Sequence, residues 1–156
     1  MKKYFILFLF VILYMSCRYE ESTYTKTFVT NNSSHSLELI PYYQGMGSNV
    51  DIKNVAPNST LEILNNNNRG KGTGYSYPVY LIPFDSLYVV YDHSDSCVYY
   101  RENSNGTNPK AIKYDSIRSI YNVSNYVRKI TQEDKRSISN EYTFTFTDQD
   151  YLDAKK

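Results

Sequence analysis

The run Asp92-His93-Ser94-Asp95-Ser96-Cys97 gathers a carboxylate, an imidazole, a hydroxyl and a thiol. Nucleophilic catalysis uses such groups, with a nucleophile held against a base that a third group orients. Their adjacency works against that use. Successive residues of an extended chain point to opposite faces, and Asp, His and Ser are common in tight turns. The run is therefore read as the connection of a hairpin. A metal at His93 and Asp95 would need a second ligand cluster at zinc or calcium spacing, which the sequence lacks. His35, in Asn31-Asn32-Ser33-Ser34-His35, is likewise read as a turn residue. No metal and no cofactor is expected.

Two further segments have chemical potential. Asn68-Arg69-Gly70-Lys71-Gly72-Thr73-Gly74 has the glycines and the lysine of a phosphate-cradling loop. Such a loop needs Gly-Lys-Ser/Thr leading into a helix, and here Gly72 follows Lys71 with no helical pattern beyond it. A surface loop is expected. Tyr75, Tyr77 and Tyr80 lie on or beside this glycine-rich stretch and are candidate ligand contacts. Tyrosine gives a large contact area with few rotors. The competing reading makes these rings a cover for the end of the core.

The elements that must hold these residues are short strands. The chain has 18 tyrosines and no tryptophan, and is rich in Asn and Ser. Tyrosine favours strands, whereas Asn and Ser favour turns. Strands are expected over 24–30, 36–43, 50–55, 60–64, 87–91, 97–101, 110–114, 127–131 and 137–147. Val50, Ile52 and Asn54 should share one face, Leu61 and Ile63 another. The clearest alternation sets Tyr142, Phe144 and Phe146 against Thr143, Thr145 and Thr147. Residues 65–78 read as irregular. Ile117, Ile120, Tyr121 and Ser124 have helical spacing, which predicts one short helix near 116–125, and 148–156 suits a short C-terminal helix. Turns every eight to twelve residues predict a mainly β fold, a single antiparallel β-sandwich or open barrel.

Charge excludes one class of partner. The formal net charge is +1, and loss of Lys2 and Lys3 with a signal segment would leave −1. No basic face remains for nucleic acid. Cys97 lies in a strand-like run and is expected to be a buried, inert thiol.

Lys2 and Lys3 precede an apolar run, Tyr4 to Met15, followed by Ser16 and Cys17. This is the layout of a secretory signal peptide, too short to span a bilayer. Leu13-Tyr14-Met15-Ser16-Cys17 resembles the lipobox of bacterial lipoproteins, with Leu13 one place early and larger residues than usual at Tyr14 and Met15. The resemblance implies acyl chains on Cys17, of which two or more hold a protein durably at a membrane. Glu20 and Glu21 resemble the acidic export signal of Bacteroidetes surface lipoproteins; their alternative reading is a solvated linker. Asp85-Ser86-Leu87 and Asp115-Ser116-Ile117 resemble the O-glycosylation acceptors of the same bacteria, with Ser86 and Ser116 as acceptors. Together with Asn31–His35, Asn68–Gly72 and Tyr142–Tyr151, these segments resemble small Bacteroidetes lipoproteins.

The expected organisation is a lipoprotein signal peptide at 1–16, a lipidated tether at 17–23 and a β-sandwich at 24–156. The expected location is the outer membrane at the cell surface, with the periplasmic face as alternative. The expected role is a non-catalytic binding or structural module for a glycan, a peptide or an envelope protein. The alternatives are a hydrolase of glycans or peptides using carboxylates such as Asp92, Asp95 or Glu102, and an accessory subunit of an envelope complex.

Overall fold

Alternation of large and small residues near the C-terminus builds the centre of one sheet. In the computed structural model, which describes residues 22–43, 46–47, 51–69, 84–101, 110–133 and 137–156, Tyr142, Phe144 and Phe146 all point inward. They lie on β10 (Ser137–Thr147), which pairs in parallel with β1 (Ser22–Asn32). β5 (Ser59–Arg69) flanks β1 and β9 (Val127–Glu133) flanks β10, giving a four-stranded sheet in the order β5-β1-β10-β9.

The second sheet has six strands, five across. Its order is β3 (Met46–Gly47), β2 (Leu37–Tyr43), β6 (Ser86–Tyr91), β7 (Asp95–Tyr100) and β8 (Ala111–Ile112). β4 (Lys53–Val55) shares the outer edge of β2 with β3. β4 covers Leu37–Leu39 and β3 covers Tyr42–Tyr43, so Pro41 falls in the gap between them. A proline has no amide to donate, and such a gap tolerates it. Val55 is the inward residue of β4 and Asn54 is exposed, on the opposite faces that the alternation gives them.

The sheets pack face to face without closing into a barrel. Val29, Phe144 and Phe146 of the first meet Leu37, Leu39, Leu87, Val89 and Tyr99 of the second. Each such side chain contributes about 1.5–3 kcal/mol when fully buried. Towards the Ser22 end the inward row of β1 becomes polar, with Thr23, Thr25 and Thr27 buried beside Asn140.

Three expectations are corrected. The sheets are mixed: β1–β10 and β7–β8 are parallel, the other pairs antiparallel. Asn65–Asn68 are strand rather than loop, because β5 continues along β1. The 116–125 segment is a staircase of turns ending in a 3-10 helix at Val123–Asn125. Backbone N–H groups of Ser116, Ser119, Asn122 and Asn125 each donate to the carbonyl three residues back, at 3.0–3.2 Å. Ser116, Ser119 and Asn122 side chains accept from the N–H two residues ahead. Short polar side chains that bond the local backbone compete with helix formation, and here they recur every third residue. Ile117 is left 86% exposed while Ile120 is buried.

The C-terminal helix, α1 (Asp148–Ala154), closes one end of the sandwich. Asp150, buried, accepts from the Thr147 amide at 2.7 Å and hydroxyl at 3.0 Å. It also accepts from Arg118 Nε at 2.8 Å and pairs with the second arm of that guanidinium, tying helix to staircase.

Candidate functional site

The end of the molecule beside α1 is organised by one buried amide. Asn31 is fully buried, and its Nδ2 donates to the carbonyls of His35, Val55 and Ala56 at 2.7, 3.1 and 3.1 Å. Its Oδ1 accepts from the Ser33 amide and hydroxyl. The last strand residues of β1 thereby fix both the 33–36 turn and the end of β4. Ser34 donates to Asp148 Oδ1 at the start of α1, and the His35 ring stacks on Tyr151 with centroids 3.5 Å apart.

This turn meets the β6–β7 connection. His35 Nδ1 lies 2.5 Å from Asp92 Oδ2, while the Ser36 amide and hydroxyl donate to Asp92 Oδ1 at 2.8 and 3.0 Å. Hydrogen bonding, first from His35 and then from the Ser36 amide, holds the Asp92 carboxyl below its ordinary value. Asp, His and Ser are thus together, but the carboxylate stands in the middle. A hydrolytic triad needs the imidazole between hydroxyl and carboxylate, so that it can take the hydroxyl proton. Ser36 instead bonds the carboxylate directly. This arrangement clamps two turns and does not activate a nucleophile. Asp92 and His93 are both left-handed, with φ of 47° and 58°, as in the primed turns that suit hairpins.

Beside the clamp lies a cleft of about 470 Å³ lined by Leu37, Glu38, Asn54, Val55, Val90 and His93, among others. That volume falls within the usual range for small-ligand sites. Glu38 and His93 stand at its rim, with His93 Nδ1 3.7 Å from Glu38 Oε2. Register places Asn54, Glu38, Val90 and Ser96 in one row across the outer face of the second sheet. The next outward row is Ile40, Tyr88 and Val98, and the one after is Tyr42, Ser86 and Tyr100. Cleft and tyrosines therefore lie along one face of the sheet, with Val98 and Ser86 buried between them. The Tyr42 and Tyr88 ring centroids are 4.5 Å apart, tilted by 37°. Burial, then the neighbouring Tyr100 and Tyr42 hydroxyls, push the Tyr88 phenol up, so it stays a hydrogen-bond donor at neutral pH.

The residues singled out in the sequence are distributed as follows. His93 and Asp95 stand at the hairpin as expected, and among the described residues no cluster of three metal-ligating side chains exists. Cys97 is 2% exposed, with its thiol pushed up to about 12 by burial. Ser86 is 8% exposed, opposite Tyr42 and Tyr100 in register, so its hydroxyl offers little access for attachment of a glycan. Ser116 is half-buried, its Oγ accepting from the Arg118 amide. Cys17, Glu20, Glu21, Tyr75, Tyr77, Tyr80, the glycines of the 68–74 segment and Glu102 lie outside the described residues. Tyr42, Tyr88 and Tyr100 were not singled out by sequence. Their common signal is parity: each shares its strand with inward residues one position away.

No protein-family model, curated protein or solved structure matches the chain.

Proposed function

We propose that this protein is a lipid-anchored envelope protein whose sandwich acts as a non-catalytic binding module for a glycan or peptide. The observation that carries the reading is the Glu38–His93 cleft, with Tyr42, Tyr88 and Tyr100 on the same outer face of the sheet. Flat aromatic rings with polar tips suit the apolar faces and hydroxyls of sugars and the side chains of extended peptides. The placement of Asp92 between Ser36 and His35 favours binding over hydrolysis at the one described Ser–His–Asp gathering. The anchor is carried by Cys17 and its apolar leader.

Two measurements test the two halves separately. Cys17→Ala should move the protein from the membrane to the soluble fraction; continued partition with membranes rejects the anchor. Glycan and peptide arrays probed with the mature domain should give a hit that Tyr88→Ala weakens about tenfold, since one lost aromatic contact costs roughly 1–2 kcal/mol. Substrate cleavage on the same arrays, abolished by Asp92→Asn, would instead establish the hydrolase reading.

A further inference from the structure

Strand register fixes which end of the sandwich lies next to the anchor. Ser22, the first residue of β1, is opposite Arg69 at the end of β5 and Ser137 at the start of β10. Ser22 is five residues beyond Cys17. A fully extended tether of that length reaches about 18 Å at most. β1 itself has 11 residues and spans roughly 36 Å at the usual strand rise. Its far end holds Asn31, which bonds the turn beneath the cleft and the end of β4. The far end also carries α1, since Thr147 pairs with Asn32.

We propose that the protein stands on the bilayer by its Ser22 end, so that the cleft at Glu38 and His93 opens away from the lipid and takes its ligand from the aqueous side. This orientation rests on the lipid-anchored reading of Cys17. Among the described residues, one outward row near this end can hydrogen-bond, with Tyr24 between Asn67 and Ser139 across the sheet, while Ile130, 48% exposed, lies opposite Asn140 on β9. A row of this kind, a tyrosine between polar side chains, suits the headgroup layer. The Tyr42–Tyr100 end of the outer face is nearer the lipid and the cleft end farther from it, because β2 runs back from Leu37 towards the anchor end.

Nitroxide probes on the full lipidated protein in phosphatidylethanolamine–phosphatidylglycerol vesicles test the orientation. Asn67→Cys labels the exposed near end and Leu152→Cys the exposed far end of α1. Cys97 is too buried to compete for the label. With gadolinium-chelating lipid headgroups, relaxation of the Asn67 label should be strongly enhanced and that of the Leu152 label left at its vesicle-free value. Equal enhancement at both sites, or a larger effect at Leu152, overturns the orientation while flotation with the vesicles still upholds the anchor. Failure of the unlabelled protein to float rejects the anchor and the orientation together. Circular dichroism of each labelled variant excludes misfolding as the cause.

Discussion

At the scale of single residues, Asn31 bears more of the architecture than any charged group. An amide is suited to the role because it both donates and accepts, and here both functions are used in a fully buried position. Asn31→Ala leaves buried carbonyls without their donor. It should cost about 3 kcal/mol, or roughly 10 °C in Tm, measured by calorimetry. The Asp92 clamp makes a different prediction. Its carboxyl is lowered in the folded state, so its contribution is present above the ordinary aspartate range and is lost as pH falls through the lowered value. The protection of the Ser36 amide against exchange, relative to an unstructured chain at the same pH, should therefore fall as pH drops below the ordinary aspartate range. Asp92→Asn should remove that acid dependence, and the same fall in protection in the variant would remove the carboxylate from the clamp.

At the scale of elements, α1 and the staircase depend on one another through Asp150. Asp150 is 2% exposed at its side chain and Arg118 36%. Removing one partner of such a pair is costlier than the pair is worth, because the other charge is left partly desolvated. Asp150→Ala should cost about 3 kcal/mol and release both α1 and the 116–125 segment, read as loss of amide protection in both. Elements with strong local patterns were legible in the sequence. β10, the hairpin it forms with β9, the β6–β7 hairpin and α1 all occur where alternation or turn chemistry places them. The misread elements are those where tertiary pairing or side-chain capping overrides local preference. The asparagines of β5 are strand because β1 supplies partners for their backbone, which propensity alone does not register. The 116–125 segment has helical spacing, yet serines and an asparagine at every third position offer each turn its own closure. The tyrosines of the outer face were missed for a further reason. Tyr42, Tyr88 and Tyr100 lie on three strands, and only the register between those strands aligns them.

At the scale of the whole molecule, the proposed reading gives the tether the choice of compartment and the sandwich the choice of ligand. Glu20 and Glu21 precede β1 in the chain. Replacing both with Ala should leave stability within about 0.5 kcal/mol of the native value. If the acidic pair directs export to the surface, the variant should remain anchored but resist protease shaving of intact cells, whereas the native protein is cut. Equal cleavage of both would reduce the pair to a solvated linker.

The parallel pairing of β1 with β10 has a consequence in time. Ser22 has one partner in Arg69 of β5 and the other in Ser137 of β10, so the first described strand cannot complete its sheet until nearly all of the chain is present. Contacts this distant in sequence must close a long loop before they stabilise anything, and such topologies fold in milliseconds to seconds rather than microseconds. A chain threaded through a membrane from its N-terminus would emerge with β1 unpaired on its β10 side, and would stay extensible until its last strand arrived. In a chain exported that way, completion of this sheet would follow translocation. A chain truncated before Ser137 should accordingly lack cooperative unfolding and be degraded rapidly in pulse-chase. A sharp melting transition in that fragment would show that the remaining strands form a stable unit without the closing pair.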